Sequence, residues 1–437
     1  MSETAVQHLP ITIQSGEVRS AKKNVYDLTP QQLSETMVEW GEPAYRANQV
    51  MHWLYKELAT DFSQMTNLPA GLRQKLAETM QVGSAQLMAQ KISGDGWTRK
   101  VLLQMRGGHT VEAVLMLYFD RATVCISSQV GCAMGCSFCA TGQMGFTRNL
   151  STGEILEQVI WFNRWLREHP HRPALSKAKR THYTVKSANE DQKARERIAL
   201  LDEGWHSADS ASPTAGSEIR AVTNIVFMGM GEPLVNYNNV WGAIRTLNSP
   251  QGLGMGARRL TVSTVGIAPQ IRRFADEEQA VNLAVSLHAP NDELRSSMVP
   301  VNTRYPIGEL MAACRYYSET TRRRITFEYV LINGTNDSLD LAHQLAALLR
   351  GMLCHVNLIP LNPVPGTEMR ATPKEQVYAF QRIVEDAGIS TTVRIERGVD
   401  IAAACGQLKV ESEQGSKRRS LNPELVQAHV QADLALG

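Results

Sequence analysis

From residue 123 onward, short runs rich in β-branched residues alternate with helix-length amphipathic segments, and no other feature constrains the fold as much. The β-like runs are 123–127, 224–228, 260–263, 282–287, 325–331 and 356–360. Helical periodicity occupies 151–167, 238–247, 269–276, 306–320, 339–349 and 373–387. Six strand–helix units in this order predict an α/β fold with a parallel sheet, closed into a partial (βα)6 barrel. In such folds the chemistry gathers at the carboxyl ends of the strands. One more β-like run, 391–395, leads into the segment that carries Cys405.

Upstream the pattern differs. Residues 27–80 read as short helices: Thr29-Pro30 is a start signal, Gly41 a break, and YRANQVMHWLYKEL repeats apolar residues at helical spacing. The chain therefore divides into a polar tail (1–24), a small N-terminal helical domain (25–95), a β-rich connection (96–122), the barrel (123–408) and a C-terminal tail (409–437). Residues 168–217 interrupt the barrel. They are rich in Lys, Arg, His, Ser, Pro and Asp and poor in large apolar side chains, which predicts a solvated, mobile insertion; the mixed charge gives little support to an RNA-contacting arm.

Composition excludes some classes. The 437 residues are 43% apolar but contain no run of the ~18 apolar residues that a membrane span needs. The first twenty residues are polar, so the expectation is a soluble, cytoplasmic protein with no membrane partner. A formal charge of +2 gives little overall attraction to nucleic acid. Any RNA contact would come from local clusters such as Arg258-Arg259, Arg322 to Arg324 or Lys417 to Arg419.

Seven cysteines, an odd number in a chain without secretory features, point to reduced, reactive or metal-bound thiols. Cys132, Cys136 and Cys139 form CxxxCxxC directly after a β-like run. Three thiolates on one tight loop can hold three irons of a [4Fe-4S] cluster and leave the fourth open to the amino and carboxylate groups of S-adenosylmethionine (SAM). A structural zinc site would be expected to show two CxxC pairs or a paired HxxxH, and neither occurs. Polar residues recur at the following strand ends: Gly231-Glu232 in GMGEP, Ser263, Ser286-Leu287-His288 and Asn362. Together they would converge where the ribose and methionine moieties of SAM lie. Cys314 and Cys354 have the surroundings of core cysteines. Cys125 and Cys405 would face one cavity mouth if the barrel closes, and otherwise are two unrelated buried thiols.

The segments DRATVCISSQVGCAMGCSFCATGQMGF, NIVFMGMGEPLVNYNNV, RRLTVSTVGI, SLHAPNDELR, NLIPLNPVPG and RGVDIAAACGQL resemble the RlmN/Cfr family of radical SAM RNA methyltransferases, over about residues 25–408. The resemblance implies methylation of carbon 2 of an adenine in 23S rRNA and in tRNA, with two SAM per turnover as methyl donor and radical source. It makes Cys405 the S-methylcysteine intermediate, Cys125 the resolving thiol and Glu112 the proton acceptor, and the helical domain an accessory RNA-binding unit. A flavodoxin or ferredoxin would supply electrons to a monomeric enzyme. The chemistry is consistent with this, because carbon 2 of adenine is electron-poor and carries no acidic proton, so it cannot attack a SAM methyl directly. A thiolate can take that methyl, and a radical route can then carry the carbon to the ring and leave a transient RNA–protein crosslink. Release through a second thiol gives a disulfide. The base must leave its stack, which favours a loop adenine. The sister chemistry at carbon 8, of the Cfr type, is the rival; Pro233, the DRAT before Cys125 and NPVPG look more like the carbon 2 branch. A non-catalytic metal-containing RNA-binding module would leave GMGEP, Ser263, the SLH segment and the two outlying cysteines without a role.

Overall fold

The computed structural model describes residues 22–118, 120–170, 218–362, 368–394, 398–404 and 406–408. The two tails (apart from residues 22–24), nearly all of the insertion, the Lys417 to Arg419 cluster and Cys405 lie outside the described residues. Three helices open the chain: α1 (Pro30–Glu39), α2 (Arg46–Tyr55) and α3 (Ala70–Thr79). The first begins where the sequence suggests, with Thr29 and Gln32 in a reciprocal capping box and Pro30 in the first turn. Two short parallel strands, β1 (Lys23–Asn24) and β2 (Met80–Gln81), close this unit. A strand follows the helices within residues 25–95: β3 (Gln86–Ile92) pairs into the main sheet.

Strands β4 (Thr98–Gln104), β5 (Thr110–Leu117) and β6 (Ala122–Cys125) follow β3 in antiparallel order. After β6 come a short hairpin of β7 (Gln129–Gly131) and β8 (Phe146–Asn149), with helix α4 (Ala140–Met144) between them, and helix α5 (Thr152–Glu168). The alternating part then runs β9 (Asn224–Phe227), α6 (Tyr237–Asn248), β10 (Leu260–Thr264), α7 (Ala268–Ala275), β11 (Asn282–Ser286), α8 (Asp292–Met298), α9 (Ile307–Thr321), β12 (Ile325–Leu331), α10 (Leu339–Leu349), β13 (Cys354–Pro360), α11 (Lys374–Asp386) and β14 (Ser390–Val393). One ten-stranded sheet results, in the order β14-β13-β12-β11-β10-β9-β6-β5-β4-β3, parallel from β6 to β14.

Parallel strands covered on both faces read as continuous apolar runs, but these alternate. Register carries the alternation across the sheet. One face holds Val101, Ala113, Val124, Ile225, Val262, Val285, Phe327 and Val356, all with zero exposure, and the buried residues of the helices join the same core. The other face holds Lys100, Glu112, Cys125, Ser263, Ser286, Glu328, Asn357 and Thr392. A one-residue slip in any strand would exchange the two sets, so the apolar face fixes the polar one. Buried polar groups on that face bond to one another: Asn357 Nδ2 donates to Glu328 Oε2 at 2.8 Å, and His355 Nε2 lies 2.9 Å from Thr392 Oγ1.

Helix α5 fastens the N-terminal unit to the sheet. Its Glu157 carboxylate accepts from Ser84 N at 2.6 Å and from the Ala85 amide, and its Arg164 donates to Leu58 O and Ala59 O at 2.9 and 2.6 Å. Asp27 Oδ1 accepts from Gly153 N in the first turn of the same helix. On the apolar face, Phe327→Ala should cost ~3–5 kcal/mol in a denaturant titration. Thr326→Ala, one residue away on the polar face, should cost under ~1 kcal/mol. Equal losses would mean that the two faces are not distinct.

Candidate active site

The end of β6 is anchored before the cysteine loop begins. Ser127 N donates to Gln158 Oε1 at 2.8 Å, Gln158 Nε2 returns a bond to Ser127 O at 2.9 Å, and Ser127 Oγ donates to Glu112 O at 2.7 Å. Gly131 then turns the chain at φ +75°. A Cβ there would lie 2.0 Å from Gly145 O, the same oxygen that accepts from Cys132 N at 2.9 Å, so the residue before the first loop cysteine has to be glycine. Cys132 and Cys136 are buried and Cys139 is partly exposed. Burial pushes the thiols of Cys132 and Cys136 well up, and the neighbouring Cys139 pushes each further in the same direction. Such thiols ionise readily only against a bound cation. Among the described residues no three His, Cys, Asp or Glu side chains close around a single metal ion. An all-sulfur set of three on one loop fits an iron–sulfur cluster with a free corner.

The next strand end packs directly against this loop. Gly229 comes so close that a Cβ would sit 2.6 Å from the backbone of Ile126, and Gly231, at φ +103°, meets Gln129 in the same way. Glu232 is buried: its amide donates to Gln129 Oε1 at 2.8 Å, and its carboxylate accepts from Leu234 N at 3.0 Å and Val265 N at 2.9 Å. It therefore ties β9 to the end of β10, beside the half-buried Ser263. Burial raises this carboxyl to about 7, against the opposing pull of these N–H donors.

At the end of β11, Leu287 N donates to Glu328 O at 3.0 Å, and His288 adopts a left-handed φ of 61°. His288 Nδ1 accepts from Val330 N at 3.1 Å, and the ring stands edge-on to Phe138 of the cysteine loop, with centroids 4.7 Å apart. Burial lowers its pKa to about 3, so the imidazole is neutral with its proton on Nε2. Ser286, the last residue of β11, is half-buried, and Asn362, just beyond the end of β13, is buried. Cys314 and Cys354 are core cysteines, raised by burial to about 12 and about 11.

The sequence reading missed Lys100. Its Nζ lies 2.9 Å from Glu112 Oε1 and donates to Ala402 O at 3.0 Å, with both side chains of the ion pair almost wholly buried. Register puts Lys100 opposite Val114, and Val114 opposite Cys125, on the face that carries Glu112. Beyond position 405 the chain returns to the cysteine loop: Ala140 N donates to Gly406 O at 2.8 Å and Thr141 Oγ1 to Leu408 O at 2.7 Å. Residues on either side of position 405 are thus held to the Lys100–Glu112 pair and to the residue after Cys139. Nothing in TRKVLLQ singles Lys100 out: it stands between Arg99 and Val101 as a solvent-facing lysine would.

Comparison with known proteins identifies the fold and the family. A radical SAM methyltransferase from Sphaerobacter thermophilus superposes with a TM-score of 0.75 at 47% identity, covering 89% of this chain and 99% of that one. By fold and by this similarity the chain is a radical SAM methyltransferase. Residues 23–82 match the family described as "Ribosomal RNA large subunit methyltransferase N-terminal domain". A relative from Roseiflexus castenholzii named "Probable dual-specificity RNA methyltransferase RlmN" is 46% identical over 407 residues, 89% of this chain and 96% of the relative. One of the same name from Bacillus thuringiensis is 38% identical over 93% of this chain and 98% of its own. The chain belongs to the RlmN family of RNA methyltransferases. Membership implies SAM and an iron–sulfur cluster, which the three loop thiols fit. Among the described residues no helix is long and apolar enough to cross a membrane.

Lys100→Met leaves the Glu112 carboxylate buried without its cation, and should destabilise the protein by ~3–5 kcal/mol in denaturant. A loss below ~1 kcal/mol would mean that the pair is solvated. Glu232 gives a pH test on cluster-free protein. Its folded value, about 7, lies above its ordinary 4.5, so the folded chain holds a proton that the unfolded chain releases. This contribution to stability is complete below about pH 4.5 and is lost as pH rises through about 7. Denaturation from pH 5 to 8 should show this decline in the wild type and a shallower one in Glu232→Gln; equal slopes would place the ionised carboxylate in the fold throughout.

Proposed function

We propose that this protein methylates carbon 2 of an adenine in 23S rRNA and of an adenine next to the anticodon in tRNA, through a methylated Cys405 and a transient RNA–protein crosslink. The observation that carries this reading is the Lys100 ammonium, bonded at once to Glu112 Oε1 and to Ala402 O. It sets the segment leading to Cys405 on the same sheet face as Glu112 and Cys125. We take the seven strands β6 and β9 to β14 to curl into a partial radical SAM barrel around that face.

Cys132, Cys136 and Cys139 would hold one [4Fe-4S] cluster, which supplies the electron that cleaves SAM. Gly231, Glu232, Ser263, Ser286, Leu287, His288 and Asn362 line the strand ends beside it and would hold SAM: the glycine by allowing close approach, the serines and Asn362 by hydrogen bonding. Glu232 keeps the second lone pair of each carboxylate oxygen for the SAM ammonium. Cys405 carries the methyl carbon and is the residue through which RNA is attached. Cys125 resolves that attachment: its thiolate attacks the sulfur of Cys405, the bond from that sulfur to the carbon on adenine breaks with its electron pair passing to the carbon, which takes up a proton to become the methyl group, and a Cys125–Cys405 disulfide forms, to be reduced by an external thiol. Glu112 accepts the proton that leaves carbon 2, and Lys100 supplies the countercharge that lets a carboxylate sit in so enclosed a place.

Cys125→Ala separates attachment from release. With anaerobically reconstituted protein, SAM, a reductant and an RNA hairpin, this variant should accumulate a covalent RNA adduct whose nuclease-trimmed remnant maps to Cys405. The wild type should yield free RNA that contains 2-methyladenosine. Free methylated RNA from the variant at the wild-type rate, or 8-methyladenosine in the product, would overturn the assignment.

A further inference from the structure

Among the described residues the largest side chain with no exposure at all belongs to a cation, Arg295 in the middle of α8. Within that set its guanidinium donates to neutral oxygens: Nε to Leu287 O at 3.0 Å, Nη1 to Asn302 Oδ1 at 2.7 Å, and Nη2 to Val265 O and Ser286 O at 2.5 and 3.2 Å. No carboxylate among the described residues forms an ion pair with it. The acid it approaches most nearly through bonds, Asp292, is exposed and is reached only by way of Asn302 Nδ2, 2.9 Å from Asp292 Oδ1. The packing around it is tight: at Gly266, which sits at φ +109°, a Cβ would lie 2.9 Å from Leu310 Cδ1 and 3.3 Å from Nη2. A cation buried among neutral dipoles costs several kcal/mol unless an anion lies near.

The cysteine loop is the place for that anion. Met298, one turn beyond Arg295 on the same helix, accepts from Ser137 N at 3.0 Å, and Ser137 follows Cys136. Phe138 stacks edge-on against His288, next to the Leu287 carbonyl that Arg295 holds. Burial lowers the guanidinium to about 10, and Cys136 is the strongest influence in the opposite direction.

We propose that Arg295 is the buried counter-cation of the cluster held by Cys132, Cys136 and Cys139, and that its charge raises the cluster's reduction potential. The inference rests on the ligand set proposed above. A cluster bound by three thiolates is anionic and gains a further negative charge on reduction, so a fixed cation favours the reduced form. Arg295 is thus a positioning residue with an electrostatic duty: its hydrogen bonds fix the carbonyls at the ends of β10 and β11, and its charge faces the electron.

Charge and hydrogen bonding can be separated in anaerobically reconstituted protein, with iron and sulfide content checked, by following cluster bleaching in a redox titration. Arg295→Lys keeps the charge and loses most of the bonds. It should melt at a lower temperature yet keep the reduced-to-oxidised ratio at a fixed potential within about threefold of wild type. Arg295→Gln loses the charge, and its ratio should fall at least about tenfold, equivalent to ~59 mV for one electron. If that variant does not fold, Asn302→Asp sets a carboxylate against Nη1 with no change of shape and should produce the same fall. An unchanged potential in a fully loaded Arg295→Gln, or in its substitute, would leave Arg295 a purely structural brace and overturn the proposal. A wild-type chain that takes up no cluster would instead sink the ligand assignment on which it stands.

Discussion

A single buried ammonium holds the candidate active site together. Lys100 lies on β4, in the antiparallel ribbon outside the alternating part of the fold, and its Nζ meets Glu112 on the neighbouring strand and Ala402 near the end of the chain. An enclosed ion pair alone is weak evidence for stability, because desolvation offsets much of the attraction. Here the third bond gives it another purpose, since it anchors a segment with little regular structure to a strand of the sheet. Residues over three hundred positions apart in the chain, Lys100 and Ala402, come within 3.0 Å, and the backbone then runs on to Gly406 beside the cysteine loop.

The rest of the site follows from the sheet. Alternation along each strand sends apolar side chains into the core beneath the helices, and the same alternation lines the opposite face with Glu112, Cys125, Ser263, Ser286, Glu328 and Asn357. A polar face on a largely parallel sheet would be unstable if packed against a second apolar layer. Its groups are instead paired with one another or available to ligands at the strand ends. Of two buried cations, Lys100 is matched by a carboxylate and Arg295 is set among carbonyls. That difference in partners is the reason to look for an anion beside Arg295.

Much of this was legible in the residues. Strand 325–331 and helix 339–349 carry their own periodicity, and both appear with those bounds. CxxxCxxC is local, so its meaning does not depend on distant contacts. Gly229 and Gly231 could be suspected of close approach from GMGEP alone, although only the structure shows what they approach. By contrast, β3 has no sequence signature, because Gln86–Ile92 is exposed along its whole length and has no buried face to imprint a period of two. Lys100 and Arg295 escaped for a related reason: a charged residue in an amphipathic run is normally solvated, and only tertiary contacts reveal a buried one. Both oxygens of Glu232 also accept backbone amides, which no sequence pattern could report.

Cys405 lies outside the described residues, while the chain on both sides of it is fixed to the site, so the most direct measurement concerns that thiol. Protein reconstituted with its cluster is incubated with SAM bearing a deuterated methyl group and a reductant, without RNA, and its cysteine peptides are mapped by mass spectrometry. The account predicts one labelled methyl on Cys405 and none on Cys125, Cys314 or Cys354. A label on another cysteine, or RNA methylated while Cys405 never carries the group, would contradict it.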